Sequence, residues 1–209
     1  MAAPPALQQV AQRFAATTQG IVGFRLHRVL EVRAGFSSRH EDVLVDGVYR
    51  DGTIVRVRIL TYTIDGKPAG DADRATMIQA YQAPKPGQLF HVPFDARYVA
   101  EYQYVQSGPR TIAFSSTIQD GSHGDGTFTY DAAGDVLSYT YQPNALPPHA
   151  TSGTIVDRRA EVLPNDWRIT YETQQYKGSY GPFPGRANEE VDFYGFRRFT
   201  DLQSAIGAL

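Results

Sequence analysis

Five histidines, His27, His40, His91, His123 and His149, are the side chains of this chain able to bind a metal or move a proton near neutral pH. None stands in an H-x-H or H-E-x-x-H spacing, so a metal site could arise only by tertiary convergence, and the sequence assigns none. Imidazole and carboxylate come close along the chain at His40-Glu41-Asp42 and at His123 with Asp125. The second pair sits in Gly121-Ser122-His123-Gly124-Asp125-Gly126, the composition of a loop. Glu172 and Glu189-Glu190 could serve as facing carboxylates for glycoside hydrolysis in a β-rich fold. Strand alternation sends Glu189 and Glu190 to opposite faces, which suits an edge charge against aggregation, and Arg158-Arg159 and Arg197-Arg198 suit a solvated face. No G-x-S-x-G, G-x-x-x-x-G-K-[ST] or G-x-G-x-x-G occurs, and the absence of cysteine removes disulfides, thiolate metal sites and cysteine nucleophiles. The expectation is no catalytic residue and no cofactor.

Charge and composition exclude more. The 209 residues carry 20 basic and 22 acidic side chains, a net charge of -2 that offers no field for a polyanion, so nucleic acid is not an expected partner. An apolar fraction of 42% supports a real core and excludes disorder. Thirteen Tyr and 11 Phe with 19 Gly and 13 Pro favour strands and turns over helices. Met1-Ala2-Ala3-Pro4-Pro5 is like the small-residue stretch left when a secretory signal is cut, so the expected location is periplasmic or secreted, with the signal removed.

The elements follow from periodicity. Leu7, Val10, Ala11 and Phe14 form one helical stripe within residues 1–19, stopped by Gly20. From Gly20 to Ala34 the period is two, with Phe24, Leu26, Leu30 and Val32 on one face and Arg25, His27, Glu31 and Arg33 on the other. Asp46-Gly47, Asp51-Gly52 and Asp65-Gly66 suggest hairpin turns, and Val55, Val57 and Ile59 alternate between the last two. A helix capped by Asp73, about 71–83, presents Met77, Ile78 and Tyr81 before Pro84 and Pro86 stop it. Strands resume with Tyr98, Ala100, Tyr102 and Tyr104 on one face, then 111–118, 127–130 and 136–141 with Tyr139 and Tyr141. The last three strands cover 154–162, 167–176 and 191–199, with a Gly/Pro-rich break at 178–185. The chain reads as one mostly-β (α+β) domain over 1–209, a strongly curved antiparallel sheet over 20–199 with an N-terminal and an inserted helix.

This order resembles the LolA/LolB-like family of periplasmic lipoprotein carriers and their outer-membrane lipoprotein-sorting relatives. The match lies in the helix Leu7-Gln8-Gln9-Val10-Ala11-Gln12-Arg13-Phe14, the long strand after it, the Pro-flanked helical insert, and the late hairpin Gly126-Thr127-Phe128-Thr129-Tyr130-Asp131-Ala132-Ala133-Gly134-Asp135-Val136. The resemblance implies an unclosed β-barrel wrapped around helices, with an apolar cavity for acyl chains and no catalytic residues. It also implies an inward Arg that holds a lid; Arg28, which interrupts the apolar face of the first strand, is the candidate by position. LolB-type carriers bear a lipidated N-terminal Cys, and this sequence has none.

Acyl-chain binding needs dry concave surface, with about 0.8 kcal/mol gained per buried methylene. The expected lining is Phe14, Phe24, Leu26, Arg28, Leu30, Met77, Ile78, Tyr81, Tyr98, Tyr102, Tyr104, Tyr139 and Tyr141, with the Met77 helix as lid or plug. The expected partners are a lipid or acylated protein, with transient contact to a membrane or envelope protein. A concave face fully packed by Phe14, Met77 and their neighbours would defeat this reading. Two alternatives stand beside it: a hydrolase of carbohydrates or esters, with His40 or His123 meeting Asp or Glu in a cleft, and a protein-interaction β-domain with an exposed apolar patch.

Overall fold

The computed structural model describes residues 4–84 and 89–209, without the side chain of Tyr180. The N-terminal reading of Met1 to Ala3 and the helix stop at Pro86 lie outside the described residues. Helix α1 (Pro5–Thr17) is followed by β1 (Ile21–Ala34), β2 (Ser37–Arg50), β3 (Thr53–Ile64) and the two-residue β4 (Lys67–Pro68). Helix α2 (Asp71–Gln82) and a 3-10 turn (Val99–Glu101) then lead to β5 (Gln103–Gly108), β6 (Thr111–Ser115), β7 (Gly124–Tyr130) and β8 (Val136–Pro143). The long strands β9 (Ala150–Leu163), β10 (Asp166–Tyr180) and β11 (Phe183–Phe199) precede the short helix α3 (Leu202–Gly207).

The eleven strands form one sheet in the order β4-β3-β2-β1-β11-β10-β9-β8-β7-β6-β5, antiparallel throughout. Each strand except the join of β1 to β11 pairs with its neighbour in sequence, so hairpin geometry builds most of the sheet and one long-range pairing completes it. The strands β4 and β5 stand at opposite edges, so the barrel is unclosed, as the element order implied.

Several local expectations are corrected. Asp46-Gly47 lies inside β2 rather than at a turn; a Cβ at Gly47 would stand 2.3 Å from the Phe24 ring, so glycine is there to let that ring lie across the strand. Asp51 and Gly52, by contrast, take left-handed φ values of 49° and 81° and do make the hairpin turn. The polar run from Ser37 to Asp42 belongs to β2, and the 178–185 break shrinks to a two-residue turn because β10 runs to Tyr180 and β11 starts at Phe183. Tyr98 and Ala100 lie at and within the 3-10 turn and not on a strand. Helix α2 starts after Gly70 with no side-chain cap, so Asp73 sits in its first turn, where a carboxylate still favours the helix dipole.

Two apolar clusters fill the concave side. One joins Leu7 and Val10 of α1 with Phe94, Tyr102 just before β5, and the inward residues of β5–β9, among them Tyr104, Ile112, Phe128 and Tyr139. The other joins Val22, Phe24 and Leu26 of β1 with Val43, Val45, Val57, Tyr62 and Val191, and α2 packs over it. No residue of α2 is fully buried.

Candidate functional site

The register between strands sets what lies between the two clusters. Tyr139, Asp157, Glu172, Val191, Arg28, Val43 and Tyr62 are successive cross-strand neighbours from β8 to β3. The adjacent row reads Tyr141, Ile155, Gln174, Glu189, Leu30, Glu41 and Ile64. Side chains two apart on a strand share a face, so these rows place five charged groups on the concave surface as a polar seam.

Arg28 is held in that seam, its Nη1 donating to Glu41 Oε2 (3.0 Å) and its Nη2 to Glu189 Oε2 (2.5 Å). Burial works against its charge, but the hydrogen bonds and charges of Glu189 and Glu41 outweigh it and raise its pKa, so it is permanently cationic. Glu41 also accepts from Arg39 Nε (2.6 Å) and the Tyr62 hydroxyl (3.1 Å). Asp157 is buried, and Oδ1 of Asp157 lacks a hydrogen-bond partner among the described residues. Its pKa is pushed well up, first by burial and then by the neighbouring Glu172, whose own pKa is raised first by burial. Burial and the neighbouring carboxylate both work against the charged form of Asp157, and burial does the same at Glu172.

Arg159, expected on a solvated face, is buried instead, over the Phe14 ring at 4.7 Å and donating to Trp167 O (2.6 Å). Burial pushes its pKa down to about 10. Glu189, expected at an edge, points inward to Arg28 because β11 is central in the sheet.

The expected lining residues are thus divided. Phe14, Tyr98, Tyr102, Tyr104, Tyr139 and Tyr141 belong to or pack on the first cluster; Phe24, Leu26, Met77, Ile78 and Tyr81 on the second; Arg28 and Leu30 lie in the seam between them. Phe14 is in edge contact with Phe94 at 5.1 Å, and Met77 packs on the second cluster, so both act as filling where they stand. Open apolar space remains at the far ends of β1, β10 and β11. There a hollow of about 260 Å³ is lined by Val32, Ala34, Pro147, Pro148, Tyr176 and Ala187 among others. A second, more polar recess of about 390 Å³ lies under α3, around Arg25, Asp46 and Arg197. Neither was signalled by a motif.

Where the chain enters β5 and β7 a group forms around His123, one of the two histidines expected to meet a carboxylate in the hydrolase alternative. Glu101 Oε2 lies 2.7 Å from His91 Nδ1 and 3.0 Å from His123 Nε2, while His123 Nδ1 lies 2.6 Å from Asp120 Oδ1. His123 therefore meets carboxylates, but Asp125 is not among them; it accepts from the Ser116 N–H. His40, the other candidate, is exposed, and its backbone N–H donates to Asp65.

No family model matches this chain, and no curated protein does. Solved structures resemble it at low identity. A putative outer membrane lipoprotein-sorting protein domain from Vibrio parahaemolyticus is 12% identical, with 94% of this chain and 93% of that chain covered and a TM-score of 0.49. A LolA superfamily protein from Nitrosomonas europaea is 9% identical, with 96% of each chain covered and a TM-score of 0.39. A DUF1329 family protein from Desulfovibrio piger is 10% identical, with 96% of this chain and 94% of that chain covered and a TM-score of 0.40. Two of these three bear the lipoprotein-sorting and LolA names of the family that the element order resembles.

Proposed function

We propose that this protein is a non-enzymatic carrier that holds a lipid or the acyl chains of a lipoprotein against the concave face of its sheet, in the bacterial cell envelope. The observation that carries this reading is the hollow under Pro147 and Pro148, an apolar space at the open end of an unclosed sheet. Its volume of about 260 Å³ suits one short stretch of chain. Longer chains need α2 to lift, and that helix is the element fit to do so, since it covers the second cluster with only half-buried Met77, Ile78 and Tyr81. In this reading the Arg28–Glu189–Glu41 group in the seam is the latch for that helix. Phe36, fully exposed, and Phe183 meet edge to face at 6.1 Å at the tips of two hairpins, where a membrane or envelope partner would touch. No helix among the described residues is long and apolar enough to cross a membrane.

The test is mass spectrometry of organic extracts from protein purified without detergent, beside an unrelated β-protein. A stoichiometric acyl lipid specific to this protein supports the reading. A clean extract, together with no displacement of a fluorescent fatty acid from the protein, would overturn it.

A further inference from the structure

The group around Glu101 has an unbalanced hydrogen-bond ledger. His123 is buried, its relative exposure 2%, and both its ring nitrogens face carboxylates, Asp120 at Nδ1 and Glu101 at Nε2. A neutral imidazole carries one N–H, so one of these contacts would set a lone pair against an anion. His91 aims Nδ1 at the same Glu101 oxygen. Two ring nitrogens and a carboxylate thus converge on a point that calls for positive charge, supplied either by an extra proton or by a cation.

We propose that His91 Nδ1, Glu101 and His123 Nε2 bind a divalent first-row transition ion, with zinc as the best fit. The three ligand atoms lie within 4.8 Å of one another. Tetrahedral zinc at roughly 2.0–2.1 Å from each ligand separates neighbouring ligands by about 3.3 Å, so Glu101 has to swing off the line between the two rings and the two ring nitrogens have to close on one another. Nitrogen donors with a carboxylate are the set that zinc and its neighbours accept, whereas calcium and magnesium prefer oxygen alone.

The surroundings hold the donors in place. The Asp120 carboxylate on Nδ1 fixes the His123 tautomer that offers Nε2, the outer arrangement typical of metal-bound histidine. The His91 ring is stacked on Tyr98 at 4.0 Å, and its backbone N–H donates to Ser122 O (2.8 Å). Glu101 is fixed from behind by Ser116 Oγ, which donates to its carbonyl (2.9 Å). His91 and Glu101 remain partly exposed, at 27% and 32% of their side chains, which leaves the fourth position to water. Metal there ties the segment entering β5 to the β6–β7 loop. None of the three donors lines the apolar hollow, so the site is independent of the carrier reading.

The experiment is calorimetric titration of chelator-treated, tag-free protein with zinc chloride, with cobalt(II) absorption as a second readout of coordination. One ion per chain, a tetrahedral cobalt spectrum and a melting temperature raised by about 5–10 °C at a hundredfold excess over Kd are expected. His91→Ala and Glu101→Gln, both at partly exposed positions, should each weaken binding at least about tenfold, and His40→Ala should not. The assignment is overturned if the unaltered protein takes up no zinc, or if binding survives in the folded His91→Ala or Glu101→Gln protein. Equal loss on His40→Ala would overturn it as well.

Discussion

Asp157 on β9 and Glu172 on β10 are direct cross-strand partners on the concave face, with no cation hydrogen-bonded between them among the described residues. Facing like charges cost energy in any sheet, and here burial adds to the cost. The pair survives because protonation is available to it.

That dictates a pH dependence. Both folded pKa values are raised, so the stability this pair contributes is complete below the ordinary carboxylate range and is lost as pH rises through the raised values. His123, also raised, acts in the same direction, while Glu41, Glu101 and Asp120, lowered, act in the opposite one. Asp157→Asn isolates the pair: it should stabilise the protein by about 1–2 kcal/mol at pH 8 and by nearly nothing at pH 4. Urea unfolding at both pH values checks this. A gain that is equal at the two would sink the account of a pair disfavoured in its charged form.

Arg28→Met should be among the most damaging single changes. It leaves Glu41 and Glu189 without the guanidinium between them, at a cost of about 3–5 kcal/mol. Adding Glu189→Gln should recover part of the loss, a coupling that a double-mutant cycle measures directly.

At Gly126 the structure makes a steric prediction. A Cβ there would stand 2.0 Å from the backbone oxygen of Thr140 on β8, and backbone cannot step aside as a side chain can. Gly126→Ala should cost more than about 2 kcal/mol in chemical denaturation, whereas Gly66→Ala, with open space around it but φ of 74°, should cost about 1 kcal/mol from its backbone alone.

Ala187→Phe tests the carrier reading without touching charge. The added ring would occupy the hollow beneath Pro147 and Pro148. Fatty-acid affinity should fall by at least about tenfold, with the melting temperature little changed. Undiminished binding would place the ligand elsewhere.

The sequence exposed the elements better than the site. The first strand's inward face was legible because Phe24, Leu26, Leu30 and Val32 alternate, and Arg28 stood out against them. The first half of β2 was hidden because Ser37 to Asp42 carries no apolar period: Ser37 to His40 is exposed, and Glu41 is held by Arg28, Arg39 and Tyr62 instead of apolar packing. Gly47 imitated a turn because the dipeptide signal does not distinguish a left-handed glycine from one that makes room for a ring. His91, Glu101 and His123 come from three separate segments, and what joins them is the packing of Tyr98 and Tyr102 and the bond from His91 N–H to Ser122, which no spacing encodes. Glu172 was noticed only as a possible acid; its partner Asp157 is visible once the register is known.

The pairing of β1 with β11 has a consequence for how the chain reaches this state. Residues 21–34 must find residues 185–199, and until they do the sheet exists as two parts, each ending in a long unsatisfied strand, β1 on one and β11 on the other. During synthesis the N-terminal part waits for almost the whole remaining chain before its edge is covered. Slow completion and a window open to intermolecular strand exchange follow from that wait. A circular permutant that links β11 directly to β1 would turn the slowest pairing into a local hairpin.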